Sequence, residues 1–277
     1  MADFIKRNDS ELEATLWRLY RDFFDKAERK RRWSIEKDIP WLECNKTLAP
    51  EIADVVESFC AVELYLPDYL MRAFPSSRAS RARTWFYANW GYEESKHSLA
   101  LGDWLVKAGM RTEEQLADLE GLVFDNLWQI PYQNHVALLA YAMVQEKATG
   151  LNYRNLRRRA QERGGDPALE QLLMLVAVDE QAHYSFFLET LQIYLKHDRD
   201  GTLEHMRSVM NVFAMPAIYT MVDGRQRVAR VKELDIFNDN LYYQEVYLPI
   251  LDALGVSRAE MRNRLPNRKS APITATV

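Results

Sequence analysis

Asp179-Glu180-Gln181-Ala182-His183 follows without a break from the apolar run Leu172-Leu173-Met174-Leu175-Val176-Ala177-Val178, and the same spacing stands earlier in Glu93-Glu94-Ser95-Lys96-His97. An α-helix turns ~100° per residue, so Glu at i and His at i+3 project from one face, one turn apart, and can reach one ion. Each Glu-x-x-His is preceded by a helical stretch with its own isolated carboxylate, Glu63 or Glu146; Glu146 closes the run Val136 to Val144 after Gln145. These charges are headed for an interior. Burying an unpaired carboxylate costs several kcal/mol, so such groups must be paired, protonated or metal-bound. Six ligand-type side chains on four helices point to a two-metal site.

The 277 residues are 48% hydrophobic and 27% charged, which allows a sizeable core and a soluble surface. A net charge of −4 argues against a general nucleic-acid binder. The longest apolar run, Val136 to Val144, falls far short of the ~20 residues a membrane helix needs. Met1-Ala2-Asp3-Phe4-Ile5-Lys6-Arg7 lacks the order of a secretory signal, and Cys44 and Cys60 form no Cys-x-x-Cys or disulfide framework. The expectation is a cytoplasmic protein with no membrane span and no nucleic-acid partner.

Gly and Pro fall mostly between long stretches of helix formers, and no period-two run reads as a strand. The pattern predicts helices at roughly 9–31, 48–72, 78–108, 133–163, 167–196, 200–214 and 237–254. Asn8 or Asp9 would cap the first, Gly109 would end the third, and Pro67 and Pro75 would bend and then stop the second. The expected organisation is a single helical domain over residues 1–264 and a disordered tail over 265–277.

In chain order the candidate ligands run Glu63, then Glu94 and His97, then Glu146, then Glu180 and His183, with gaps of 31, 52 and 34 residues between the glutamates. The outer gaps suit neighbouring helices joined by short connections; the middle one leaves room for a crossover. This is the pattern of ferritin-like di-iron or di-manganese carboxylate proteins. The expected fold is therefore all-α, a ferritin-like four-helix bundle core with additional flanking helices. Carboxylates with imidazoles suit iron or manganese, whereas zinc favours fewer and softer ligands. The competing reading, surface salt bridges plus core histidines, does not explain why both copies come with an interleaved Glu.

The two boxes, together with Gln145-Glu146-Lys147-Ala148-Thr149, resemble the soluble acyl-acyl-carrier-protein desaturases, the plant stearoyl-type enzymes and their bacterial relatives. The resemblance runs from about Trp33 to His183. Ser95-Lys96 stands where the plant pattern usually reads Asn-Arg, and Gln181-Ala182 where it reads Lys-Arg, departures that bear on carrier docking and substrate range.

The resemblance implies an enzyme with two iron ions per chain that introduces a cis double bond into a carrier-bound fatty acyl chain, using O2 and electrons from ferredoxin, and working as a homodimer. Glu63, Glu94, His97, Glu146, Glu180 and His183 would hold the irons. Thr149 would deliver a proton from one turn beyond Glu146, in competition with a bond back to the carbonyl of Gln145. Asp179 would accept from His97, and Trp33 would link Asp179 to the surface for electron entry. Alternatives with the same ligands are a di-iron hydroxylase or N-oxygenase on a carrier-bound substrate, or a ferritin-type ferroxidase or iron-storage protein. An acidic carrier calls for a basic dock, for which Lys26, Arg29, Lys30, Arg31 and Arg32, or Arg78, Arg81 and Arg83, are candidates; reversing charge at Arg31 and Arg32 is expected to raise the apparent Michaelis constant for carrier-bound substrate and leave iron content unchanged. Tyr65, Tyr69, Phe86, Met143 and Met174 are candidate cavity residues.

Overall fold

The computed structural model describes residues 10–262 apart from 216, 217, 219, 220 and 222. The capping expected of Asn8 and Asp9 and the tail expected over 265–277 lie outside the described residues. The helices are α1 (Ser10–Lys30), α2 (Pro50–Glu63), α3 (Leu66–Ser77), α4 (Arg81–Lys107), α5 (Glu113–Phe124), α6 (His135–Glu162), α7 (Pro167–His197), α8 (Arg199–Met210) and α9 (Gly224–Glu233). A last stretch runs from α10 (Asp239–Leu241) through a π-helical turn, Tyr242–Tyr247, into α11 (Leu248–Leu254), and α12 (Arg258–Arg262) follows. No strand occurs among the described residues. The bundle is α2 against α4, α4 against α7, α7 along the whole of α6, and α6 back against α2. Helix α1 lies over α4 and α7, and α8 closes α6 from the other side.

The long helices start where the sequence supplies a capping oxygen for their unpaired N–H groups. Ser80 caps α4, Asn134 caps α6 and Asp166 caps α7, whose first turn opens on Pro167. Asp166 does more than cap. Its Oδ1 accepts from Leu169 N at 2.7 Å, and its Oδ2 accepts from Asn45 N at 2.8 Å and from Trp104 Nε1 at 3.1 Å, tying the start of α7 to α4 and to the approach to α2. At the other end of α4, Gly109 takes φ +71°, a left-handed value that ends the helix as expected.

Three differences from the sequence reading have physical reasons. The span expected over 48–72 is two helices, broken at Leu64 and Tyr65, because Pro67 lacks the N–H that a continuous helix would need there. Pro75 does not stop α3; it lies inside the last turn, where few hydrogen bonds remain to lose. Helix α5 occupies the presumed crossover and carries a capping box, Thr112 to Gln115, that periodicity alone passes over; the short helices α9 and α12 are also additional.

The interior is divided in a way that positions the site. One apolar cluster takes Phe86 and Trp90 from α4, Leu139, Tyr141 and Val144 from α6, and Phe186 and Phe187 from α7. A second takes Leu101 and Trp104, Tyr153 and Leu156, and Leu172 and Val176 from the opposite halves of the same helices. Between the clusters Glu93, Glu94, His97, Glu146, Asp179, Glu180 and His183 form one buried polar layer. Gly150 allows this approach: a Cβ there would meet Glu180 Cβ at 3.3 Å, so α6 and α7 touch closely at the level of that layer.

Candidate metal centre

The six candidate ligands fall into two overlapping groups: Glu63, Glu94, His97 and Glu180, and Glu94, Glu146, Glu180 and His183. Within each group one potential ligand atom per residue lies within 4.8 Å of all the others. Glu94 and Glu180 belong to both, so they stand where bridging carboxylates would, with Glu63 and His97 on one side and Glu146 and His183 on the other.

Both histidines turn Nδ1 inward and Nε2 outward. His97 Nδ1 is 3.3 Å from Glu94 Oε2 and 3.4 Å from Glu180 Oε1, and it hydrogen-bonds to neither. His183 Nδ1 is 2.9 Å from Glu94 Oε1 and 3.2 Å from Glu146 Oε2. Outside, His183 Nε2 lies 2.7 Å from Glu93 Oε2, and His97 Nε2 lies 3.5 Å from Asp179 Oδ2. A proton on Nε2 given to these carboxylates leaves the Nδ1 lone pair for a cation and fixes the ring. Trp90 Nε1 donates to Glu146 Oε1 at 2.9 Å, and the hydroxyl of Tyr153 donates to Glu63 Oε1 at 2.5 Å.

The donor set fits a pair of cations. Glu94 Oε1, His97 Nδ1 and Glu180 Oε1 are buried with no hydrogen-bond partner, an arrangement whose cost a bound cation would offset. Protonation tells the same story. Burial and then the charge of Glu94 push Glu63 up to about 8, and burial with Glu94 and Glu146 raises Glu180 well above the carboxylate range. Burial also pushes Glu94 upward, but His97 and His183 hold it down to about 2; both imidazoles, despite desolvation, are raised well above their ordinary value by these carboxylates. Left to itself the cluster takes up protons, because four carboxylates at this spacing demand positive charge.

Arg31 and Arg32 are not free docking groups. The Arg31 guanidinium, 10% exposed, reaches Asp179 Oδ1 at 2.5 Å and Glu93 Oε2 at 3.1 Å, and Arg32 Nη1 reaches Glu93 Oε1 at 2.5 Å. They neutralise the two carboxylates that hold the histidines. Arg83 is also buried, beside Glu13. Among the remaining dock candidates, Arg29, Lys30 and Arg78 are exposed, and exposed Lys26 pairs with Asp22. Lys96, at one departure from the plant pattern, is buried, with Nζ 3.8 Å from the centre of the Trp33 ring.

Trp33 Nε1 donates to Asp179 Oδ2 at 2.7 Å. Thr149 lies on the wall of an apolar cavity of about 180 Å³ that it shares with Glu63, Asn152, Tyr153, Phe213 and Phe237. None of the five cavity residues expected from the sequence lines it. Tyr65, Phe86 and Met143 are packed into the core, Met174 is on the surface, and Tyr69 lines a separate space of about 30 Å³ on the Trp90 side.

A family model described as fatty acid desaturase matches residues 65–258. The chain belongs to that family. Among curated relatives of this desaturase-family chain, a Mycobacterium tuberculosis protein named for acyl-acyl-carrier-protein desaturation, DesA1, is 23% identical over 171 residues, covering 58% of this chain and 49% of its own. A Solanum commersonii stearoyl-acyl-carrier-protein 9-desaturase is 27% identical over 173 residues, covering 62% and 40%. The matched part thus spans half or less of those relatives' length. Among solved structures, DesA2 from Mycobacterium tuberculosis superposes with TM-score 0.67 at 19% identity, over 89% of this chain and 96% of that one. An R2-like ligand-binding oxidase with a Mn/Fe cofactor superposes with TM-score 0.60 at 18% identity, over 88% and 94%. These likenesses establish the ferritin-like helical fold of the desaturase-family chain.

Sequence reasoning missed the role of Glu93, along with Arg31 as its neutralising partner, Trp90 and Tyr153. The signal for Glu93 was present: it precedes Glu94 as Asp179 precedes Glu180, and each carboxylate serves the histidine of the other helix.

Proposed function

We propose that this chain is a di-iron acyl-acyl-carrier-protein desaturase, which forms a cis double bond in a carrier-bound fatty acyl chain with O2 and electrons from ferredoxin. The observation that carries this reading is the pair of overlapping Glu/His sets beside a cavity whose wall includes Glu63 and Thr149. Glu63 and His97 would hold one iron, Glu146 and His183 the other, and Glu94 and Glu180 would serve both. Bound iron supplies the oxygen-dependent oxidation of an unactivated methylene, which side chains alone cannot perform. In balance, the acyl chain loses two hydrogens, two electrons arrive from the donor with two protons from solvent, and O2 leaves as two waters.

The protein's own contribution is placement. Asp179 and Glu93 hold the two imidazoles in one tautomer, and despite burial the imidazoles themselves, then Arg31, keep both carboxylates ionised. The Thr149 hydroxyl, one turn beyond Glu146 on the cavity wall, holds a proton on the side where substrate lies. Apolar neighbours such as Phe59, Phe213 and Phe237 keep that side dry. Trp33, bonded to Asp179 and packed under Lys96, provides a path for electrons to the His97 side.

The test is mass spectrometry of acyl-carrier-protein substrates of varied length after incubation with iron-loaded protein, ferredoxin, its reductase and oxygen. Loss of two hydrogens from one of them supports the reading. Gain of one oxygen moves it to hydroxylation, and no change with two irons bound rejects an acyl substrate.

A further inference from the structure

Tyr242 lines two spaces at once: the cavity beside Glu63 and Thr149, and an open groove of about 680 Å³ on the outer side. Its ring stacks on Phe213 with centroids 5.5 Å apart and planes at 12°, and its hydroxyl donates to Met210 O at 2.7 Å, so one side chain forms the partition. It also opens the π-helical turn Tyr242–Tyr247, a rare conformation that is frequent at functional sites. The groove presents Arg207, Arg258 and Arg262 with Tyr243 and Tyr247, and no Asp or Glu is among its described lining residues. The nearby carboxylate, Glu260, is engaged by Arg199 and Ser257. Arg207 is anchored through Nε to the Glu260 carbonyl at 2.7 Å, and among the described residues its terminal nitrogens are left for a ligand.

Three guanidinium groups without a carboxylate select a phosphate, which accepts several of their hydrogen bonds at once. A phosphate at the outer end and an apolar chain at the inner end describe one molecule. We propose that the groove binds the phosphate of an acyl-phosphopantetheine whose acyl chain passes Tyr242 into the cavity. This rests on the desaturase reading for the acyl chain, and the phosphopantetheine arm is common to acyl carrier protein and to coenzyme A.

Binding is to be measured by titration calorimetry on metal-loaded protein with dodecanoyl-phosphopantetheine, with dodecanoyl-pantetheine lacking the phosphate, and with the dodecanoyl thioesters of coenzyme A and carrier protein. The expected result is that the phosphate tightens binding at least tenfold, that salt removes the gain, and that Arg258→Gln/Arg262→Gln abolishes it while metal content and melting temperature stay unchanged. Tyr242→Ala, which opens the partition, should alter affinity for the acylated ligands and not for phosphopantetheine alone. The two thioesters, both bound by way of the arginines, differ in affinity according to which source supplies the arm. Equal affinity with and without phosphate, or an arginine variant that binds as the parent does, overturns the proposal. Double-bond formation is read separately: if it occurs while the arginines prove indifferent, the groove is rejected and the desaturase stands, and arginine-dependent binding without a double bond rejects only the desaturase.

Discussion

Glu93 Oε2 lies 2.7 Å from Nε2 of His183, although 90 residues separate them. It is the counterpart of Asp179 beside His97, and the pairing makes the centre nearly symmetric: on each of α4 and α7 the residue before the ligand Glu supports the histidine of the other helix. Glu93→Gln keeps the shape and removes the negative charge that makes residue 93 a strong acceptor for Nε2–H. Metal affinity should fall about 10- to 100-fold, read by competition with a metal chelator. Unchanged affinity would reduce Glu93 to a packing residue.

Arg31 stands between these two carboxylates, so its removal should act on the metal. Arg31→Gln should lower the iron retained after gel filtration and lower the melting temperature, since buried Asp179 would lose its arginine and Glu93 would keep only Arg32. Charge reversal at the exposed Arg29 and Lys30 should leave both unchanged. Equal behaviour of the two sets would return Arg31 to the surface role that the sequence run suggested.

Metal removal should have a signed pH dependence. In the metal-free chain Glu63, raised to about 8, binds a proton that the unfolded chain releases at ordinary carboxylate pH. The stability linked to it is present at low pH and lost as pH rises through about 8. Chelator-treated protein should therefore melt lower at pH 9 than at pH 7, and reloading iron should erase most of the difference. Parallel pH curves with and without metal would contradict this.

Asp166 joins three segments through three hydrogen bonds accepted by one buried carboxylate. Asp166→Ala should cost about 2–3 kcal/mol, a lost cap plus lost buried hydrogen bonds, by chemical denaturation. Metal stoichiometry in the folded fraction should be unaffected.

At Gly150 helix α6 comes so close to α7 that an added Cβ would lie 3.3 Å from the Cβ of Glu180. Gly150→Val should push these helices apart and lower metal content along with stability, measured on the same sample. A variant that loads metal normally would show that the layer tolerates such a shift.

The ligand-bearing helices were legible because Glu-x-x-His and the apolar runs around it fix both period and face, and caps such as Asn134 and Asp166 mark the ends. Periodicity could not show that Arg31 turns inward, because a basic run at the end of a helix looks the same whether it meets solvent or two buried carboxylates. The cavity was missed for a related reason: it lies between α2, α6 and residues from Phe213 to Tyr242, a segment with no strong pattern that reaches the site only through tertiary packing. Tyr153, seven residues after Glu146, shares its helical face, and nothing short of the α2–α6 contact reveals that it meets Glu63.

The most direct test of the central claim is elemental analysis of protein reconstituted anaerobically with ferrous iron, alongside Glu180→Ala. The account predicts two irons per chain in the parent protein, and a loss affecting both sites in the variant because Glu180 belongs to both ligand sets. One iron or none in the parent, or an undiminished pair in the variant, would contradict it.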